Sequence, residues 1–238
     1  MSHLLDADVL PVPRPDRRVG PMGRTLARVV PGVGRIIAQI EPWAAEWDRR
    51  NEVTTEQLAS SSPNSWWAAL GDSTAQGIGA SSPDGGWVGQ LAASDRRPPL
   101  INLSVSGART TDLIREQLPR LVALGEHFGA PSLVTIAIGA NDIFRSPNLI
   151  RLRSDFDHIA EMVGPSGVMA TLPQAPGSLI ALVANRALRS AAATHEVRIA
   201  ELSRHLQPPY RKRIAEDGFH PNELGYADWA AAFAEAID

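Results

Sequence analysis

Ser65-Trp66-Trp67-Ala68-Ala69-Leu70-Gly71-Asp72-Ser73-Thr74-Ala75-Gln76-Gly77 is the stretch on which the reading of the fold turns. Residues 66–70 form an uncharged apolar run, long enough for one buried strand and too short for a helix. The run stops at Gly71-Asp72-Ser73, so a hydroxyl stands just past the end of a strand. In an open parallel sheet, ligands occupy the crevice outside the carboxyl ends of the strands. Ser73 is therefore a candidate nucleophile. Asp72 and Ser73 are equally suited to capping the following helical turn, as Asp and Ser commonly do. Taken alone, this stretch leaves both readings open.

Downstream, strand-like and helix-like segments alternate. Short β-rich runs at 100–105, 132–138, 167–172 and 197–202 are separated by helical patterns at 110–124, 148–162 and 178–193. Residues 74–86 are small and polar and read as a loop, 87–93 as a short helix, and 221–237 as the closing helix. Such alternation implies right-handed crossovers and a parallel sheet covered on both faces. The expected architecture is a three-layer α/β/α sandwich over residues 64–238. Upstream, Pro11, Pro13, Pro15 and Pro21 lie among charges and indicate an extended arm over 1–21. Leu26, Val30, Val33, Ile37, Ile40, Ala44 and Trp47 then recur at helical spacing. Pro31-Gly32 and Pro42 are expected to break this region into two or three short helices, and residues 60–64 to form a linker. Residues 1–63 thus read as a Pro-rich arm with short amphipathic helices. Their apolar stripe must dock somewhere, with residues 29–40 either bordering the crevice beside Ser73 or bracing the domain at a distance.

Composition narrows the function. The 238 residues are 44% hydrophobic and 21% charged, with a formal net charge of −3, which favours neither nucleic acid nor an anionic membrane. There is no cysteine, which excludes disulfides, thiolate metal sites and a cysteine nucleophile. Lys212 is the sole lysine. No segment reaches the ~18 continuous apolar residues of a membrane span, so no stable membrane insertion is expected. The opening Met-Ser-His-Leu-Leu-Asp-Ala-Asp carries acids where a secretory signal has basic residues, and a cytoplasmic protein is expected.

The unusual residues fall where such a sheet puts its active site. Gly71-Asp72-Ser73 follows the first strand, Gly107 the second, and Gly139-Ala140-Asn141-Asp142 the third. Asp217-Gly218-Phe219-His220 precedes the last helix. An Asp three residues before a His can reach its Nδ1–H, leaving Nε2 free to take a proton from a serine hydroxyl. Gly107 lets a backbone N–H approach an oxyanion, and Asn141 offers a side-chain N–H to the same oxygen. Arg109, Arg145 and Phe219 flank these blocks as candidate substrate contacts. Asp142 reads as a loop organiser. His127, His158, His195 and His205 have no acidic partners at metal-ligand spacing, so no metal site is expected.

Gly71-Asp72-Ser73, Gly107, Gly139-x-Asn141-Asp142 and Asp217-x-x-His220 together resemble, in order and separation, the four blocks of the SGNH (GDSL-type) hydrolases. The resemblance covers about residues 65–238. It implies a flavodoxin-like α/β/α fold with Ser73 as nucleophile, His220 as base and Asp217 as its orienting acid. The Ser73 N–H, the Gly107 N–H and the Asn141 side chain would form the oxyanion hole. Thr74 stands where the family usually has leucine, and Ala75 removes the Gly-x-Ser-x-Gly elbow of the α/β-hydrolases. The activity so implied is cleavage of a carboxylic O-acyl ester without a cofactor. The alternative is transfer of a short- or medium-chain acyl group, such as octanoyl, to a sugar or other small hydroxyl acceptor. The expected partners are a small-molecule acyl ester or acyl donor, with a carbohydrate acceptor in the second case.

Overall fold

The computed structural model describes residues 31–61, 65–94, 96–145, 147–173 and 178–238. The sheet consists of β1 (Trp67–Gly71), β2 (Leu100–Asn102), β3 (Leu133–Ala137), β4 (Gly167–Ala170) and β5 (Arg198–Ala200). The strands lie in the order β2-β1-β3-β4-β5, and every pairing is parallel. The chain runs from β1 out to β2, then crosses back and continues through β3, β4 and β5. The switch point between β1 and β3 is where such sheets open a ligand crevice. The helices are α1 (Pro31–Ile37), α2 (Ile40–Ser61), α3 (Trp87–Ala92), α4 (Thr110–Asp112), α5 (Leu118–Phe128), α6 (Ala140–Arg145), α7 (Leu149–Val163), α8 (Leu179–Thr194), α9 (Leu202–His205) and α10 (Glu223–Ile237).

Successive side chains of β1 point to opposite faces, and both faces are apolar. Trp66, Ala68 and Leu70 enter one buried cluster with residues of α5, α7 and α8, among them Leu121, Phe156 and Leu188. Trp67 and Ala69 enter the other with Trp87 of α3 and Tyr226, Trp229 and Phe233 of α10. Trp87 and Phe233 stack with ring centroids 4.0 Å apart. The buried Trp67 indole donates to the Thr135 hydroxyl at 2.8 Å, so its N–H is not left without a partner inside the core. The result is the three-layer α/β/α sandwich that the alternating pattern implies.

Several expectations need correction. The strands are shorter than the apolar runs, because the chain leaves regular pairing while still bonding to its neighbour. β2 ends at Asn102, yet Leu103 N donates to Ala69 O at 2.8 Å and Val105 N to Gly71 O at 3.1 Å. The helix after β2 is not uniform and does not stop at Leu124. A π turn, Leu113–Gln117, lies between α4 and α5, with Leu118 N–H bonded to Leu113 O. Pro119, which has no N–H to give the preceding helical turn, follows directly after the π turn.

Pro42 does not break the arm either. It sits in the first turn of the 22-residue α2, and the break falls instead at Ala38-Gln39. A proline is tolerated there because the N–H groups of a helix's first turn have no partner within the helix. α2 also runs through Ser60 and Ser61, into the expected linker. Residues 1–30 and 62–64, with their expected extended arm and linker end, lie outside the described residues.

α2 covers the β2 edge of the sheet. Asn51 Nδ2 donates to Asn102 O and Asn51 Oδ1 accepts from Asn102 N, both at 2.8 Å. The amide side chain thus supplies the bonds a further strand would have made. Above and below it, Trp47 joins one core cluster and Leu58 the other. Asn51 is 4% exposed, so Asn51→Ala removes both of these buried bonds to the Asn102 edge. It should lower unfolding stability by about 1–3 kcal/mol, read as a reduced midpoint in denaturant with the slope unchanged. An unshifted midpoint would show that the edge does not depend on this pairing.

Candidate active site

The site begins where β1 stops. Gly71 has φ +144°, and a Cβ there would lie 2.3 Å from Ala137 O at the end of β3. Only glycine lets the two strand ends come this close. The Gln117 amide grips the same residue, accepting from Gly71 N and donating to Gly71 O at 2.8 Å each. Asp72 N then donates to Ala137 O at 3.2 Å.

The two readings of Asp72-Ser73 are realised on separate residues. Asp72 is the cap: its Oδ1 accepts from Thr74 N at 2.9 Å and from the Thr74 hydroxyl at 2.8 Å. Burial pushes the Asp72 carboxyl up, opposed by the Thr74 bonds and by His220. Ser73, free of capping duty, places its Oγ 2.8 Å from His220 Nε2. His220 Nδ1 lies 2.5 Å from Asp217 Oδ2, while Asp217 Oδ1 accepts from the Phe219 and His220 N–H groups at 3.0 Å each. Burial pushes the Asp217 carboxyl up, but the bond to His220, that ring's charge and the two backbone N–H groups outweigh it. The carboxyl is held below the usual aspartate range. An ionised Asp217 keeps the proton on Nδ1 and turns the Nε2 lone pair towards the hydroxyl.

Asn141, in the first turn of α6, donates to Ala108 O at 3.0 Å and faces Asp72 Oδ2 at 3.4 Å. Its amide therefore sits between the neighbour of Ser73 and the neighbour of Gly107. Among the described residues, no acceptor takes the Ser73 N–H or the Gly107 N–H. Gln76, buried in the loop after Ser73, donates to Ser104 O at 3.0 Å and bonds the Ser106 hydroxyl, tying that loop to the segment carrying Gly107. Asp142 accepts from Thr110 N at 3.0 Å and Arg151 at 3.1 Å, fastening the Asn141 turn to the helix that follows Gly107.

The flanking candidates separate. Phe219, 41% exposed, stands edge-on to the His220 ring at 4.9 Å and to Phe144 at 5.0 Å. Arg109 is half-buried and uses its backbone N–H to bond Asp112 at 2.8 Å. The Arg145 side chain lies outside the described residues. Gln117, Gln76 and Phe144 were not singled out in the sequence, and no local pattern marks them. His195 and His205 do meet single carboxylates, Asp157 and Glu235, from distant elements. Among the described residues no group of three or more metal-ligating side chains occurs.

A Ser–His–Asp relay at the switch point of a five-stranded parallel sheet, with a glycine and an asparagine beside the serine, defines a hydrolase of the SGNH class. The chain belongs to the GDSL-like lipase/acylhydrolase family, whose model matches residues 69–227. Solved structures share the fold. LAE5, described as an alpha/beta hydrolase enzyme from the metagenome of Lake Arreo, Spain, is 23% identical with a TM-score of 0.60, covering 73% of this chain and 94% of its own. TesA is 21% identical with a TM-score of 0.61, covering 72% and 97%. The acetylxylan esterase Axe2 from Geobacillus stearothermophilus is 18% identical with a TM-score of 0.60, covering 73% and 94%. No curated protein sequence matches the chain.

The depressed Asp217 carboxyl carries a consequence for acid stability. A group whose pKa is lower in the folded state stabilises the fold above its unfolded pKa and loses that contribution as pH falls through the folded one. Asp217→Asn should therefore lower stability at neutral pH and shrink its difference from the parent below the ordinary aspartate range. Thermal melts across that range check this. A difference that is constant with pH would show that the carboxylate charge plays no part.

Proposed function

We propose that this chain is a serine esterase that cleaves a carboxylic O-acyl ester through an acyl-enzyme on Ser73. Ser73 Oγ attacks the acyl carbon while its proton passes to His220 Nε2, and Asp217 holds the resulting imidazolium. The carbonyl oxygen gains the negative charge and is met by the Ser73 and Gly107 N–H groups and by Asn141 Nδ2, each worth on the order of 3 kcal/mol at the transition state. Collapse of this intermediate breaks the acyl–oxygen bond, and the alcohol leaves with the proton from His220. Water then repeats the sequence, releasing the carboxylic acid and restoring Ser73. The observation that carries the reading is the unbroken relay from Ser73 through His220 to Asp217, at 2.8 and 2.5 Å. Membership of the GDSL-like lipase/acylhydrolase family supports it. The long 3.4 Å contact from Asn141 to Asp72 is readily exchanged for a better acceptor in the substrate.

The Phe144–Phe219 pair gives this site an apolar wall beside the base, with Phe144 71% exposed. In this reading the acyl chain lies along it. The substrate is then an ester whose acyl part is long enough to cover two aromatic rings.

Ser73→Ala and His220→Ala should each abolish turnover of simple esters while melting like the parent. Asn141→Ala should lower kcat by about a hundredfold with KM little changed, because its donor acts on developing charge. A change confined to KM would place Asn141 in ground-state binding instead. Phe219→Ala should raise KM for medium-chain esters and leave acetyl esters nearly unaffected, as an acyl-length series would record. Product analysis with an octanoyl donor, with and without sugars, separates hydrolysis from transfer. Acid as the main product in both cases supports the esterase, and a predominantly acylated sugar would contradict it.

A further inference from the structure

The arm upstream of the family-matched region reaches the catalytic loop. Gln39, in the turn between α1 and α2, pairs its amide with backbone in the loop that follows Ser73. Its Oε1 accepts from Gly79 N at 2.9 Å, and its Nε2 donates to Ala80 O at 3.0 Å. That loop springs directly from the serine, since Ile78 N donates to Ser73 O at 3.0 Å. Its far side presses on the base. Gly79 has φ +107°, and a Cβ there would lie 2.8 Å from His220 Cβ and 2.4 Å from Pro221 O. The 73–80 loop is thus layered between Gln39 on one side and the His220 Cβ and Pro221 carbonyl on the other.

A second contact acts on the other catalytic partner. Arg35 bonds Glu216, with Nε at 2.7 Å from Oε2, and Gly32 lies against the Glu216 backbone. Glu216 immediately precedes Asp217. Both charged side chains are well exposed, at 65% and 59%, so this ion pair alone contributes little. Gln39 is different. Its two bonds go to partly buried backbone, and removing the side chain leaves both groups unpaired.

We propose that Gln39 is a positioning residue for catalysis, a clip from the N-terminal arm that holds the 73–80 loop against His220 and so fixes the Ser73 Oγ to His220 Nε2 spacing. The inference rests on the serine-esterase reading. It adds that the arm, through Gln39, helps set the geometry of this chain's relay. Displacement of reacting groups by about 1 Å from a remote change can lower rates up to a hundredfold, so a partial loosening should be visible in kcat.

The test uses the full chain and a fluorophosphonate probe, whose second-order rate with Ser73 reports the Ser–His relay independently of substrate fit. Gln39→Ala should slow phosphonylation and lower kcat by roughly tenfold, with KM little changed. Gln39→Glu keeps the acceptor for Gly79 N–H but sets an oxygen against Ala80 O with no proton between them, so it should not restore the rate. Val163→Ala serves as the stability control, since its buried side chain lies against Gly167 at the start of β4, at the end of the sheet away from the 73–80 loop. It should lower the melting temperature and react within about twofold of the parent. A Gln39→Ala protein reacting within twofold of the parent would overturn the clip. So would a loss in Val163→Ala equal to that in Gln39→Ala, because global stability would then explain both. A parent inert to the probe would overturn the esterase reading and the clip together. A reactive parent with an indifferent Gln39→Ala would overturn the clip alone.

Discussion

The close approach of β1 and β3 at their carboxyl ends is the constraint on which the site depends. Gly71 leaves no room for a side chain beneath Ala137 O, and the Gln117 amide closes both of its backbone hydrogen bonds. The next residues on each strand are therefore forced to turn outward side by side. Asp72-Ser73 leaves β1, and Asn141 follows β3 one glycine-led turn later. A bulkier residue at 71 would move the serine away from the asparagine before any catalytic group was altered. The chemistry here rests on the packing of two strand ends.

From that point three loops of the chain are drawn together by polar side chains. Gln76 ties the serine loop to Ser104 and Ser106, Asp142 ties the Asn141 turn to Thr110, and Asp217 organises its own loop around His220. Most of these groups are buried or half-buried, where an unpaired polar atom is costly and a paired one holds its position firmly. The proposed oxyanion donors are left over from this pattern. Ser73 and Gly107 keep N–H groups that no described residue accepts, which is the arrangement a developing negative charge requires.

Much of this was legible in the sequence because its signals are local. The 66–70 run, the alternation of strands and helices, and the four blocks each depend on a few adjacent residues. What escaped depends on distance. Gln117, Gln76, Asn51 and Gln39 are all amide side chains that pair with backbone 28–51 residues away, and nothing beside them in the chain announces it. Pro42 misled for a related reason. A proline breaks a helix interior but is at home in a first turn, and which of these applies is set by where packing begins the helix. For the arm, the periodicity gave an apolar face without giving its partner. The described part of the arm is a cover for the β2 edge and a contact on the 73–80 loop, and α1 meets Glu216.

The central claim is that the Ser73–His220–Asp217 relay forms a covalent acyl-enzyme. It is tested most directly by acid-quenching the protein during turnover of an activated ester and locating the acyl group by peptide mass spectrometry. The account predicts a mass increase equal to the acyl group on the peptide containing Ser73, lost in Ser73→Ala and discharged when the ester is removed. Acylation at another residue, or full turnover by Ser73→Ala, would contradict it.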